Sequence, residues 1–314
     1  MAEDNNNNIY DGPILEEVVW RDDLIRWEGG LHGDTAKKKN TSDENIGDDD
    51  SSSDDGQSFL IDPFADPDPF EMFHFDFALP SAHHPHISRK KIIQIKGYKT
   101  DAEQIWQSTG LTLWRASHYL CDYQVEHFQM FQNKRVLELG AGLGLNGILA
   151  WRLSTAAVDE VGNESDYVVE KVGEVCITDG DSDALVHLRE NVGRNRPSND
   201  SDGTTNTSKV SCHQLIWGKE SSEKFLSQIA HNQKYDVLLA SDIIYSAVIV
   251  EPLWETVQTL LEKEGGVFVM AFARRKVPVS IDLVLETALE KGFGYELVKE
   301  DLDEGIWVYE FRFS

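Results

Sequence analysis

The 314 residues include 55 acidic and 29 basic side chains, a formal net charge of −26, and 40% of them are hydrophobic, enough for a sizeable core. That acidic balance repels phosphate backbones, so direct nucleic-acid binding is not expected, and a basic protein partner suits the charge better. No apolar run approaches the roughly 20 residues that span a bilayer, and the acidic start Met1-Ala2-Glu3-Asp4 has the character of neither a secretory signal nor a transit peptide. The three cysteines, Cys121, Cys176 and Cys212, lack metal-type spacing and read as reduced thiols. The expectations are a cytoplasmic or nuclear protein, no membrane association and a monomer.

The charge is unevenly spread. Residues 1–88 hold 21 acidic and 5 basic side chains, and residues 43–55 are almost entirely Asp, Glu, Ser, Asn and Gly, a composition unable to bury enough apolar surface to offset ordering entropy. Repeated prolines follow in Asp62-Pro63-Phe64-Ala65-Asp66-Pro67-Asp68-Pro69-Phe70, blocking helix and sheet ladders. Residues 1–88 are therefore expected to be an acidic, mostly disordered region. Within it Phe73, Phe75 and Phe77 alternate with polar residues, which fits an edge strand, a docking motif or a plain linker.

From residue 89 the pattern changes. Residues 92–95 read as a strand and 116–123 as a helix. Strand and helix then alternate: 135–139 and 146–153, 175–178 and 183–192, 210–216 and 223–230, 236–240 and 250–261, 266–272 and 281–291. Two further strands, 295–299 and 306–313, lie close enough for a hairpin. Alternation of this kind requires crossover connections and a mostly parallel sheet covered on both faces, an α/β domain over residues 89–314. Residues 154–172 and 197–208 read as polar loop insertions.

Four strand ends carry the chemistry. Val136-Leu137-Glu138-Leu139-Gly140-Ala141-Gly142-Leu143-Gly144 runs a strand into closely spaced glycines and a helix, where a ligand can lie against the main chain. Gly142-x-Gly144-x-x-Gly147 also satisfies the dinucleotide fingerprint. Glu138 favours a ligand with a positively charged amino group, such as the methionine part of S-adenosylmethionine, over a pyrophosphate. Asp179, at the end of the next strand, sits where doubly wound folds bind ribose hydroxyls, with Asp181 and Asp183 expected to cap the following helix. Trp217, after the third strand, can stack on a purine. Leu238-Leu239-Ala240-Ser241-Asp242-Ile243-Ile244-Tyr245 ends the central strand, at the edge where open α/β sheets bind ligands.

These motifs occur together with Thr109-Gly110-Leu111-Thr112-Leu113-Trp114, and over residues 90–314 the chain resembles the methyltransferase-16 family of seven-β-strand methyltransferases. The resemblance implies a Rossmann-like, seven-stranded sheet, mostly parallel with a C-terminal antiparallel strand. It implies S-adenosyl-L-methionine as cofactor and a lysine on a protein as acceptor. Carried over residue by residue, Trp114 and Trp217 pack around the cofactor, and Gly140, Ala141, Gly142 and Asp179 hold its amino-acid and ribose parts, with Glu138 and Gly144 in the same loop. Ser241 lines the sulfonium side, and Asp242 and Tyr245 shape the lysine channel as the catalytic pair. One departure is plain: after the next strand many relatives carry a Glu-Arg pair, whereas this chain reads Phe272-Ala273-Arg274-Arg275, without the acid. A small-molecule acceptor, an inactive cofactor-binding scaffold and a nicotinamide-dependent oxidoreductase are the competing readings, the last disfavoured by Glu138 and by Asp242 with Tyr245.

Overall fold

The computed structural model describes residues 69–79, 89–98, 109–154, 173–196, 209–274 and 279–314. Strands β3 (Arg135–Glu138), β4 (Glu174–Asp179), β5 (Lys209–Gln214), β6 (Val237–Ser241), β7 (Val267–Ala273), β8 (Phe293–Asp301) and β9 (Ile306–Phe313) form one seven-stranded sheet in the order β5-β4-β3-β6-β7-β9-β8. The first five pair in parallel, and β9 runs antiparallel to both β7 and β8. This is the mostly parallel sheet that the alternation of elements implies, with the antiparallel C-terminal strand that the family resemblance implies. The order reverses between β4 and β6 around β3, the switch point at which such sheets bind ligands.

Alternate side chains of each strand feed two cores, as the pleat requires. Val136, Ile177, Leu239 and Val269 point to one face, where α1 (Arg115–Glu126), α2 (Leu145–Ser154) and α3 (Ser182–Arg194) pack. Leu137, Cys176, Leu238 and Met270 point to the other, toward α4 (Lys219–Gln228), α5 (Val250–Leu260) and α6 (Ile281–Glu290). At the centre of the second core Trp254 is fully buried, packs on Phe268, Phe293 and Phe311, and donates its indole N–H to the Val284 carbonyl at 3.1 Å. Among the described residues no helix is long and apolar enough to cross a membrane.

The region expected to be mostly disordered contains a strand, Phe70–Leu79. β1 (Phe70–Leu79) and β2 (Arg89–Tyr98) pair antiparallel over their full length as a separate two-stranded sheet. The alternating aromatic residues explain it: Phe75 is buried, Phe73 and Phe77 pack against the same core, and His74 and Asp76 face outward. Of the three readings open for that stretch, the strand holds. The acidic tract at 43–55 and the insertions at 155–172 and 197–208 lie outside the described residues. Sequence reasoning also ran the third strand of the sheet too far, to residue 216; β5 ends at Gln214, and Leu215 and Ile216 belong to the cavity wall.

Candidate active site

A cavity of about 640 Å³ opens at the carboxyl ends of β3, β4, β5 and β6, within the size range of small-molecule sites. Its floor is the loop after β3. Gly140 and Gly142 have φ of 62° and 52°, the left-handed region that costs other residues free energy. A Cβ at Gly140 would stand 2.8 Å from Ile243 Cγ2 and 3.2 Å from the Trp217 ring, and one at Gly142 would stand 2.8 Å from the Gly110 carbonyl oxygen. Shape and conformation thus both require glycine at these two positions.

The loop is tied down from the neighbouring strand. The Asp179 carboxylate accepts the Gly142 N–H at 2.7 Å and the Asp181 N–H at 2.8 Å, and the Ala141 N–H donates to the Thr178 carbonyl at 2.9 Å. Burial raises the Asp179 carboxyl above its ordinary range, against the lowering effect of those backbone N–H groups. Asp181 caps α3, accepting the Asp183 N–H at 2.9 Å, and Asp183 occupies the first turn.

Trp114 closes one side at the start of α1, with its indole N–H donating to the Thr109 carbonyl at 2.9 Å. Trp217, beyond β5, lines another. Ser241, Asp242 and Tyr245 line the cavity at the end of β6. Asp242 is buried and has φ of 60°, and its N–H donates to the Ala271 carbonyl at 2.9 Å. A non-glycine residue in this conformation costs free energy and tends to be kept where function uses it. Tyr245 is 54% exposed at the mouth.

Nine of the eleven expected site residues therefore meet in one cavity, and two do not. Gly144 lies under the loop, where a Cβ would stand 2.2 Å from Leu188 Cδ1 of α3; it packs against α3 and does not line the cavity. Glu138 corrects the expectation more sharply. It is absent from the cavity wall and fully buried, and its carboxyl accepts the Gly147 N–H at 2.8 Å, satisfying one of the free N–H groups at the start of α2. Burial pushes this carboxyl up to about 8. That direction favours the neutral carboxyl over the charged one, and the side chain is turned to the start of α2 rather than into the cavity.

That shift has a measurable consequence. Between the unfolded value near 4.5 and the folded value of about 8 the native state holds a proton that the unfolded chain releases, so this group's contribution falls as pH rises through that window. Glu138→Gln keeps an acceptor for Gly147 and removes the titration. Thermal unfolding midpoints from pH 5 to pH 8.5 are expected to fall less steeply for the variant than for the wild type; parallel curves would mean that Glu138 is ionised in the fold.

Sequence reasoning missed Asn146, which is 1% exposed and still reaches the cavity. Its amide N–H donates to Ser241 Oγ at 3.0 Å, and its carbonyl accepts from Gln124 Nε2 at 3.1 Å and Cys121 Sγ at 3.2 Å, so β6, α1 and α2 meet on one side chain. An Asn inside an apolar helix start was the only signal for it.

Sequence comparison with known proteins identifies a family. Residues 97–282 match a family described as lysine methyltransferase. EEF1A lysine methyltransferase 3 of Xenopus tropicalis is 31% identical over 198 residues, 63% of this chain and 72% of that protein. Protein N-lysine methyltransferase METTL21A of the same species is 31% identical over 180 residues, 57% of this chain and 67% of that protein. A SAM-dependent methyltransferase of Aquifex aeolicus overlays with a TM-score of 0.38 at 14% identity, covering 61% of this chain and 88% of that one. With the family match spanning more than half its length and the glycine loop and Ser241–Tyr245 motif both in the cavity, the chain belongs to the methyltransferase-16 family of lysine methyltransferases.

Proposed function

We propose that this protein transfers methyl groups from S-adenosylmethionine to a lysine side chain of a protein substrate. The observation that carries the reading is one cavity holding two kinds of wall. On one side is a glycine loop pinned by a buried carboxylate; on the other are Asp242 and the exposed Tyr245. The residues present fit the cofactor. The two glycines leave room where a Cβ would intrude, Asp179 offers carboxylate oxygens in ribose position, and Trp114 and Trp217 offer aromatic faces.

When bound, S-adenosylmethionine supplies a methyl carbon activated by a sulfonium sulfur. What this chain contributes is placement and electrostatics. A lysine must present an unshared electron pair, so its ammonium gives up a proton to solvent, which an enclosed, partly apolar channel favours. Asp242 is suited to accept an N–H of the resulting amine and so to aim its lone pair. Tyr245 is suited to pack along the aliphatic stem at the mouth. Strong overall acidity favours a basic segment around the acceptor.

The test is incubation of the protein with tritiated S-adenosylmethionine and cell extract. A discrete, nuclease-resistant labelled band with methyl-lysine by mass spectrometry is the expected result. Label confined to small molecules, or no label despite calorimetric binding of the cofactor, would replace this reading with a small-molecule methyltransferase or a scaffold.

A further inference from the structure

Outside the cavity, one arrangement of side chains links the β1–β2 hairpin to the glycine loop. Asn191 and Asn195 stand one turn apart on or just after α3 and face the edge of β2 that β1 leaves unpaired. Each carboxamide grips the backbone N–H and C=O of one residue. Asn191 Oδ1 accepts the Lys96 N–H at 2.8 Å, and its Nδ2 donates to the Lys96 carbonyl at 3.1 Å. Asn195 does the same at Gln94, at 2.9 Å and 2.7 Å. Residues 94 and 96 share one edge of the strand, so the two amides replace two rungs of a missing ladder.

The pair differs in one respect. Asn191 Nδ2 also donates to the Leu143 carbonyl at 3.1 Å, in the glycine loop between Gly142 and Gly144, whereas the Asn195 amide turns back to the Asn191 carbonyl at 2.8 Å. Asn191 is completely buried. The hairpin and the loop also touch directly: a Cβ at Gly97 would stand 2.3 Å from Leu143 Cδ1. The hairpin is further fixed to α3 by Phe70, stacked on Tyr98 at 4.5 Å between centroids and tilted against His187 at 4.9 Å.

We infer that Asn191 is a positioning residue for the cofactor cradle, joining the β1–β2 hairpin to the Leu143 carbonyl so that the hairpin sets the conformation of the glycine loop. The inference rests on the proposed use of that loop for S-adenosylmethionine. A carbonyl held from behind cannot rotate, and its neighbour Gly142 directs its N–H to Asp179 on the far side. The loop is thereby anchored from two directions before any ligand arrives, the preorganisation that a tight site requires.

Asn195 provides the internal control, because it grips the same strand without reaching the loop. Asn191→Ala and Asn195→Ala are to be compared in the full-length protein at a temperature where both are folded by circular dichroism. Hydrogen–deuterium exchange without ligand is expected to quicken in peptides covering residues 140–146 for Asn191→Ala only, while both variants quicken exchange in β2. Binding of S-adenosylhomocysteine by calorimetry is expected to weaken roughly ten-fold for Asn191→Ala, the size of effect that loss of one or two buried hydrogen bonds produces. The same change is expected in KM for S-adenosylmethionine with kcat nearly unchanged. Equal exchange in residues 140–146 for both variants, or equal loss of affinity, overturns the inference. Should Asn191→Ala not fold, Asn191→Asp retains the acceptor for Lys96 and removes the donor to Leu143, and the same comparison applies. Failure of the wild type to bind either cofactor form would refute the functional reading alone, since the exchange experiment judges the positioning role without ligand.

Discussion

Replacing Gly142 with arginine is expected to abolish cofactor binding and methyl transfer while leaving the protein folded. Two independent costs coincide at this position. The backbone sits at φ of 52°, a conformation that costs a non-glycine residue about 1–2 kcal/mol. A Cβ would also meet the Gly110 carbonyl at 2.8 Å, a backbone atom that cannot swing aside as a side-chain tip can. Relief requires moving either the short turn at residues 109–111 or the Gly142 N–H that donates to Asp179, and Gly142 itself lines the cavity. Calorimetry with S-adenosylhomocysteine should detect no binding, and thermal unfolding should remain cooperative at a midpoint a few degrees lower. Affinity within about two-fold of wild type would mean that the ligand does not lie on this loop.

Asp242→Asn is expected to cost about 10²-fold in kcat on the protein substrate, the order seen when one aimed electrostatic contact is lost at a reacting centre, with cofactor affinity unchanged. Asparagine is the informative choice because it also tolerates a left-handed backbone, so φ of 60° is kept and only the charge is removed. Alanine would confound the chemistry with backbone strain. Tyr245→Phe should do less, because a side chain 54% exposed at the mouth contributes mainly through its ring, which phenylalanine retains. Tyr245→Ala should instead raise KM for the protein substrate about ten-fold. Steady-state kinetics with the labelled substrate separate these outcomes. Full activity of both Asp242→Asn and Tyr245→Ala would remove the end of β6 from the mechanism.

Much of the site was legible because it is written in strand ends. A strand that runs into glycines, then an acid at the end of the next strand, then Ser241-Asp242 at the central one, places groups on one edge by topology alone, and the structure brings them together there. Glu138 was misread for a reason equally physical. The residue that ends a strand can face either sheet surface or turn beneath the next helix, and only the pleat of β3 and the start of α2 decide which. The β1 strand was legible as an alternation and β2 as a strand, but not that the two pair with each other. Asn191 and Asn195 were invisible, since polar residues near the end of an amphipathic helix look like a solvated face until a strand edge is found against them. Asp242 could be placed in sequence, yet its positive φ belongs to the tertiary structure.

The segments between Ser154 and Gly173 and between Arg196 and Lys209 each run from the end of a helix to the start of a strand. The described residues that flank them therefore lie at the edge of the sheet opposite the cavity, and none of those flanking residues lines it. Lengthening a loop there costs only slowly growing closure entropy. These two junctions can accept a fluorescent tag, an affinity epitope or a further stretch of chain while the catalytic edge stays as it is, which makes them the natural places to grow or to label this enzyme.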